Sequence, residues 1–537
     1  MTRTVIVIAA LLWTATDASA QSPRETLNLT IEDAVRRATE SNPDLAIARL
    51  NTQIEVERVS ETLAAYAPVF TTVLGRTSNE TPATNFLLGE RGVATRDWFS
   101  STGVRQRLAR GAGTWSVSWD ASRTASNSPL NSFQPSLQSG FRLALSQPLL
   151  KDRKMDPARQ QNIIANRDQR SSELRFREAG VQTIAAVKQA YWTFKATLAN
   201  VAVQQRSLEL AHALVRENKA RVDIGQTPPL DLLQAEAEVA QRRENLIRAT
   251  TAAEDAEDRL RRFIMDPADM SFWRVRLNPI DEALGGAPLP DVDAVVEGAL
   301  KERYDIARAR IELDNVNTNV EFYNNQKLPD VRLETSYSGS GLGGTQLLRS
   351  DGFPGSVIGT RNKSFGDVLG QAFGSSYPTW SLGVTVSYSL GRSFEEASLA
   401  RSQVERRQVI QRIASLQLAA VESIRQAARQ VHSTSERVDA ARAGATLAER
   451  RLDVEQRRFD VGLSTTFLVT QAQRDLLQAE VSLLQATLDH QSALVSFEAV
   501  QQAPAGGDLL ATRGAPTVLM PTAEPRGVFR QLSGAGF

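Results

Sequence analysis

Few residues in this chain could carry chemistry, and their spacing argues against most of it. Three histidines, His212, His432 and His490, stand far apart on different helical stretches. Metal binding or acid–base work would need a second ligand at helical or cross-element spacing, and none of the three has one. Gly339, Gly341 and Gly344 fit the G-x-G-x-x-G spacing of a phosphate cradle. No helical pattern opens behind them to supply a dipole, so they read as a flexible loop at a barrel rim. Asp231 falls in the first turn of a helical pattern, where a carboxylate favours the dipole, a purely local role. The G-x-S-x-G, H-E-x-x-H and G-x-x-x-x-G-K-[ST] motifs are absent, and the cysteine count is 0. Disulfides, thiolate metal sites, cysteine nucleophiles and a lipid-anchored N-terminal cysteine are thereby excluded. The expectation is a protein that is not an enzyme and has no cofactor and no metal.

The informative residues belong to a turn that occurs twice. Arg458-Phe459-Asp460-Val461-Gly462-Leu463-Ser464-Thr465 is followed by Gln471-Ala472, and Arg221-Val222-Asp223-Ile224-Gly225-Gln226-Thr227-Pro228 by Gln234-Ala235. The glycine, the aspartate two before it and the Gln-Ala pair fall in register. Glycine supplies the positive φ that ends one helix. Thr227-Pro228 and Ser464-Thr465 then cap and open the next. Each copy reads as the tip of an αα-hairpin.

The elements that carry these tips are long. Helical patterns run over 157–222 and 228–264, and again over 394–460 and 465–502; the longest spans roughly 100 Å at 1.5 Å per residue. Shorter patterns at 43–66 and 303–327, set end to end with the return helices, would match the long ones. Leu476, Leu483, His490 and Phe497 recur every seven residues, beside stripes of Ala472, Ala479, Ala486, Ala493 and of Val481, Leu488, Val495. Several adjacent heptad stripes call for neighbours on more than one side, as in a closed helical wall.

A second repeat runs through the shorter helices. Pro43-Asp44-Leu45 matches Tyr304-Asp305-Ile306, and Pro68 matches Pro329 at a constant offset. After each of these prolines the period shortens to two. Leu382, Val384, Val386, Tyr388 and Leu390 alternate with Gly383, Thr385, Ser387 and Ser389; Val331, Leu333 and Tyr337 with Arg332, Glu334 and Ser336; and Phe141, Leu143 and Leu145 with Arg142, Ala144 and Ser146. Amphipathic strands with Tyr and Trp near their ends suit a membrane β-barrel whose apolar side meets lipid. An extra hairpin-like stretch lies between Trp98 and Arg123. Residues 108–113 form its turn, and Trp115, Val117 and Trp119 line one side. It has no counterpart in the second repeat, and its pattern leaves open whether it widens the barrel or folds outside it.

The chain is 537 residues long with a net charge of +1, which gives no electrostatic case for nucleic acid. Residues 1–20 carry a secretory signal pattern: Arg3, an apolar run from Val5 to Trp13, and Ala18-Ser19-Ala20. No later apolar run reaches the ~20 residues of a membrane helix. The expected organisation is a first repeat over 21–265, a Pro/Gly-containing bridge over 266–291, a second repeat over 292–502 and a tail over 503–537.

Taken together, the duplicated proline-ended helix, Gln147-Pro148-Leu149-Leu150 and the two glycine turns resemble the TolC-type outer-membrane efflux and secretion ducts over about residues 27–502. The resemblance implies a mainly α fold with a membrane β-barrel part. It implies a homotrimer in which each chain gives four strands to a shared twelve-stranded barrel and its helices to a periplasmic tunnel. It implies a passive exit duct of a tripartite efflux pump or type I secretion system, set in outer-membrane lipid and working with a periplasmic adaptor and an inner-membrane pump. Ile224, Gly225 and Gln226, with Val461, Gly462 and Leu463, fall where an adaptor's helical hairpin docks. Some members narrow the entrance just beyond with two aspartates; those positions here are Leu468 and Gln471, which suggests closure by an apolar constriction rather than by charge. The competing reading is a periplasmic coiled-coil adaptor or scaffold with a small β-domain, which would not need strands with a lipid-facing side.

Overall fold

The computed structural model describes residues 26–82, 92–226, 228–282, 291–352 and 355–502. The expected signal segment 1–20, the tail from 503 and the cap residue Thr227 lie outside the described residues. In chain order the elements are β1 (Thr26–Leu29), α1 (Ile31–Ser41), α2 (Pro43–Ala64), β2 (Val69–Thr81), β3 (Val93–Arg107), β4 (Thr114–Ser126) and β5 (Phe133–Pro148). Then come α3 (Pro157–Asp223), α4 (Pro229–Ile264), a 3-10 turn (Met270–Arg274), β6 (Arg276–Pro279), α5 (Val292–Glu302) and α6 (Tyr304–Gln326). The chain continues through β7 (Asp330–Arg349), β8 (Val357–Lys363), α7 (Phe365–Phe373), β9 (Pro378–Ser387), α8 (Phe394–Asp460) and α9 (Thr466–Gln501).

The expected helices form within a residue or two of their predicted limits, because caps and prolines mark them. Thr30 accepts the Asp33 N–H to open α1. Asn42 breaks α1 from α2: its Oδ1 accepts the Asp44 N–H at 2.9 Å and its Nδ2 donates to the Phe263 carbonyl at 3.3 Å. Within the expected bridge, residues 266–282 are more ordered than their composition suggests, since β6 pairs in parallel with β1 from Thr26↔Arg276 to Leu29↔Pro279. Four-residue strands are too short to leave a period in the sequence.

Two compact units emerge, each drawn from both halves of the chain. The first, which among the described residues takes in parts of 26–48, 176–303 and 419–502, packs Leu29, Val187, Tyr191, Phe194, Leu260, Ile264 and Val495 into one core. The Tyr191 hydroxyl donates to the Leu29 carbonyl at 3.0 Å and reaches Asp281 Oδ2 at 2.6 Å; burial first, then this carboxylate, pushes its phenol up. Ala472, Leu476, Ala486, His490, Ala493 and Phe497 are buried along one face of α9, and of the third predicted stripe Val495 is buried on another side while Val481 and Leu488 are half-buried. His490 is one of these core residues, its Nδ1 3.2 Å from Thr434 Oγ1.

The second unit, formed by residues 49–175 and 304–418, holds a seven-stranded sheet in the order β2-β3-β4-β5-β7, with β8 and β9 sharing the far edge of β7. The sheet is therefore six staves wide, against the four strands expected. The difference is the extra hairpin, whose two strands insert in full between β2 and β5. Cross-strand partners share a face, and one row shows what that does. Phe70, Val104, Val117, Leu143, Tyr337 and Trp380 are successive partners across all six staves. The next row, on the opposite face, is Thr71, Gly103, Ser118, Arg142, Ser338 and Thr379. At this level of the sheet one face is apolar and the other polar. From β4 to β9 the same alternation continues along the strands, whereas β2 and β3 also place Thr72, Arg76 and Thr102 on the apolar row's face.

The glycine-rich run is not a loop. Gly339, Gly341 and Gly343 lie within β7 and form a trough on the apolar face. A Cβ on Gly341 would stand 2.1 Å from the Val368 carbonyl oxygen, and one on Gly339 2.3 Å from that of Ala372. Helix α7 rests in this trough with Val368 and Ala372 fully buried, and Phe373 stacks on Phe141 at 5.4 Å between centroids. Glycine here serves close approach of a helix backbone, which a residue count cannot tell from loop flexibility.

Candidate docking tip and entrance

Both repeated turns are Schellman closures. In the first, the Gly225 N–H donates to the Val222 carbonyl and the Gln226 N–H to the Arg221 carbonyl, each at 2.9 Å. In the second, Gly462 donates to Phe459 at 3.0 Å and Leu463 to Arg458 at 2.8 Å. Gly225 has φ +73° and Gly462 has φ +78°, the left-handed conformation this closure requires. Thr465 caps α9, accepting the Leu468 N–H, as expected. Pro228 occupies the corresponding N-cap of α4 and, having no hydroxyl, makes no side-chain cap bond.

The two turns are tied to each other. The Arg221 guanidinium lies 4.1 Å from the centroid of the Phe459 ring and donates to the Phe459 carbonyl at 3.1 Å, while Glu217 holds it from the side at 2.6 Å. Phe459, Leu214 and Val469 form a small buried cluster beside it. Thr466 Oγ1 donates to the fully buried Asn218 Oδ1 at 3.0 Å. Further along, Glu238 on α4 accepts from Arg242 of its own helix at 2.7 Å and from Arg474 of α9, and Arg242 also donates to Ser207 of α3. Burial opposes the charge on Glu238, but hydrogen bonds from Arg474 and Arg242 and their charges outweigh it and hold the carboxyl below the ordinary range.

What these ties leave outside is apolar. Ile224, Val461 and Leu463 are about seven-tenths exposed, and Phe467 nearly as much. Leu468 remains 42 % exposed within the protomer. Gln471 is half-buried and donates to Asp475 Oδ1 at 2.8 Å, with Arg451 on the other carboxylate oxygen at 2.7 Å. Ile224, Gly225 and Gln226 thus share one tip with Val461, Gly462 and Leu463, and Leu468 and Gln471 follow one and two turns into α9. Sequence reasoning missed the Arg221–Phe459 and Glu238–Arg474 ties. The i,i+4 pair Glu238–Arg242 was visible, but Arg474 lies 236 positions away from Glu238.

Among the described residues no group of three or more His, Cys, Asp or Glu could hold a metal ion, and no helix is long and apolar enough to cross a membrane.

Comparison with known proteins agrees with this architecture. A family model described as outer membrane efflux protein matches residues 34–264 and 295–500. The search of curated proteins gave no match. Among solved structures, the outer membrane protein VceC from Vibrio cholerae superposes with a TM-score of 0.62 at 14 % identity, over 88 % of this chain and 96 % of that one. The Campylobacter jejuni CmeC outer membrane channel gives a TM-score of 0.62 at 15 % identity, over 95 % and 96 %. The open-state MtrE outer membrane channel of Neisseria gonorrhoeae gives 0.58 at 17 % identity, over 88 % and 89 %. None of these matches supports the adaptor or scaffold alternative.

Proposed function

The chain belongs to the outer membrane efflux protein family and is an outer-membrane exit duct for efflux pumps, and from that premise we propose how it is assembled and engaged. It works as a homotrimer: the sheets of the protomers close a barrel in the outer membrane and the long helices form a periplasmic tunnel. Exposed Leu50, Ile54 and Leu63 on α2 and the unpaired edges of β2 and β9 support self-association, because each leaves apolar surface or backbone without a partner among the described residues. The mature chain has two repeats, 21–265 and 292–502, joined by 266–291, with 1–20 removed on export and 503–537 as a tail.

The tip formed by Ile224, Gly225, Gln226, Val461, Gly462 and Leu463 receives the helical hairpin of a periplasmic adaptor, which links the duct to an inner-membrane pump that supplies the energy. The observation that carries this reading is the tip itself. Two rigid Schellman turns are clamped together by Arg221 and Phe459 and present apolar side chains outward. Leu468 narrows the closed entrance as an apolar ring, and Gln471 follows it as a polar one.

The absence of cysteine makes the test clean. A single cysteine at Val461 carrying a photo-crosslinker, compared with one at the equally exposed Leu418, is irradiated in the intact envelope. Capture of one periplasmic partner at Val461 and not at Leu418 supports the docking tip. Equal capture at both, or none at either, removes it.

A further inference from the structure

We propose that the membrane barrel of this duct is closed by eighteen strands, six from each of three protomers, and that the hairpin of β3 and β4 is part of its wall. The inference rests on the trimeric duct reading above and concerns the barrel it builds.

Four observations carry it. First, the hairpin is not appended to the sheet. It separates β2 from β5, pairing with β2 from Val69↔Arg105 to Thr81↔Val93 and with β5 from Thr114↔Ser146 to Thr124↔Ser136. No register shift interrupts the pairing from β2 to β5, so excluding the hairpin would mean breaking two complete ladders and forming a third. Second, the hairpin carries the two faces of the sheet across from β5: in β4, Trp115, Val117, Trp119 and Ala121 share one face and Ser116, Ser118, Asp120 and Ser122 the other. Val104 and Val117 continue the apolar row that runs from Phe70 to Trp380, while Gly103 and Ser118 continue the polar row behind it. A hairpin lying on the outside of a finished barrel would put one face on lipid and one on the wall, with no call for a polar face in register with the lumen side. Third, both strands are long enough to cross: β3 has 15 residues and β4 has 13, against the ~9–11 a tilted membrane strand needs. Fourth, the edges are open. Every residue of β9 is exposed, as is all of β2 except the half-buried Gly75. Unpaired backbone is not tolerated in hydrocarbon, and six staves are fewer than the smallest closed membrane barrel, so copies of the chain must supply the closing ladders.

Barrel diameter rises about linearly with strand number. Eighteen strands give a lumen about 1.5 times as wide as twelve would, and about twice the cross-section, a size at which closed barrels hold an aqueous channel. The outer-membrane end of the duct is then wide open, and restriction of flow is left to the periplasmic end.

The test is electron cryo-microscopy of the native, full-length protein in lipid nanodiscs, counting staves around the barrel. A three-fold particle with eighteen staves, β3 and β4 among them, is the expected result. A three-fold particle with twelve staves and the hairpin outside overturns the proposal and leaves the trimeric duct standing. A particle of any other symmetry, including a two-fold one in which two sheets close twelve, overturns both. A cysteine pair reports the same ladder in membranes: Thr72 and Thr102 face each other with hydroxyl oxygens 3.0 Å apart. Oxidation of the Thr72→Cys/Thr102→Cys chain should give an internal disulfide in nearly all folded trimers. Trimers that remain unlinked under oxidation would count against the β2–β3 ladder.

Discussion

The guanidinium of Arg221 sits 4.1 Å over the ring of Phe459, joining the last turn of α3 to the last turn of α8. The contact lies one helical turn before each glycine closure, so it fixes the two tips relative to each other rather than shaping either alone. Phe459 is 2 % exposed and its removal leaves a cavity beside Leu214 and Val469. Phe459→Ala should therefore cost about 3–5 kcal/mol, and Arg221→Ala about 1–2 kcal/mol through the lost cation–π and carbonyl contacts. Combined in a double-mutant cycle, the two losses should be less than additive. Full additivity by denaturant unfolding would show that the pair does not couple the tips.

The buried carboxylate network gives a pH dependence of known sign. Arg474 and Arg242 hold the folded pKa of Glu238 below its unfolded value near 4.3. Stability from this group is therefore full above about pH 5 and is lost as pH falls through the folded pKa. Glu238→Gln should flatten that acid-side loss, and at neutral pH it should destabilise by about 3–5 kcal/mol because Arg242, 2 % exposed, loses its counter-charge. Glu480 works in the opposite direction. Burial raises its pKa against the pull of Arg206, so its contribution falls as pH rises through the window above the ordinary range. Urea titrations between pH 3 and pH 7 of the parent and of Glu238→Gln separate the two; parallel curves would discount the Glu238 network.

Much of this architecture was legible in the sequence, and the part that was not has definable causes. The long helices left heptad stripes over dozens of residues, and Gly225 and Gly462 marked both closures because that conformation all but demands glycine. Alternation at Trp115, Val117 and Trp119 announced a strand, yet a period of two says which face a residue takes and not which strand lies beside it. The place of β3 and β4 between β2 and β5 is a pairing fact, invisible until register is known. Gly339 and Gly341 misled in the other direction: glycine spacing looks the same whether it frees a loop or admits the backbone of α7. At the tip, Arg221 and Phe459 each stood in the repeated motif, but nothing in either copy says that one copy's arginine meets the other's phenylalanine.

The trough of β7 can be tested directly. Gly341→Ala places a methyl 2.1 Å from the Val368 carbonyl, so α7 must lift or β7 must bend. The substitution should lower the temperature at which the folded protein collapses on unheated-versus-heated gels by several degrees. Gly383→Ala, whose Cβ would meet nothing within 4 Å, is the matched control and should leave it unchanged. Equal shifts in the two variants would mean that the loss comes from strand glycine in general and not from the seat of α7.

The entrance is tested by charge. If Leu468 narrows the closed duct as an apolar ring, three leucines meet near the axis and closure excludes water rather than repelling ions. Leu468→Asp replaces that ring with three like charges. The closed state should loosen, single-channel conductance in planar bilayers should rise, and divalent cations should block the variant where they do not block the parent. Gln471→Ala should change conductance little, because the Gln471 amide is already engaged by Asp475 at 2.8 Å and Asp475 keeps Arg451 as a partner without it. Conductance and cation sensitivity of Leu468→Asp equal to those of the parent would place Leu468 away from the constriction.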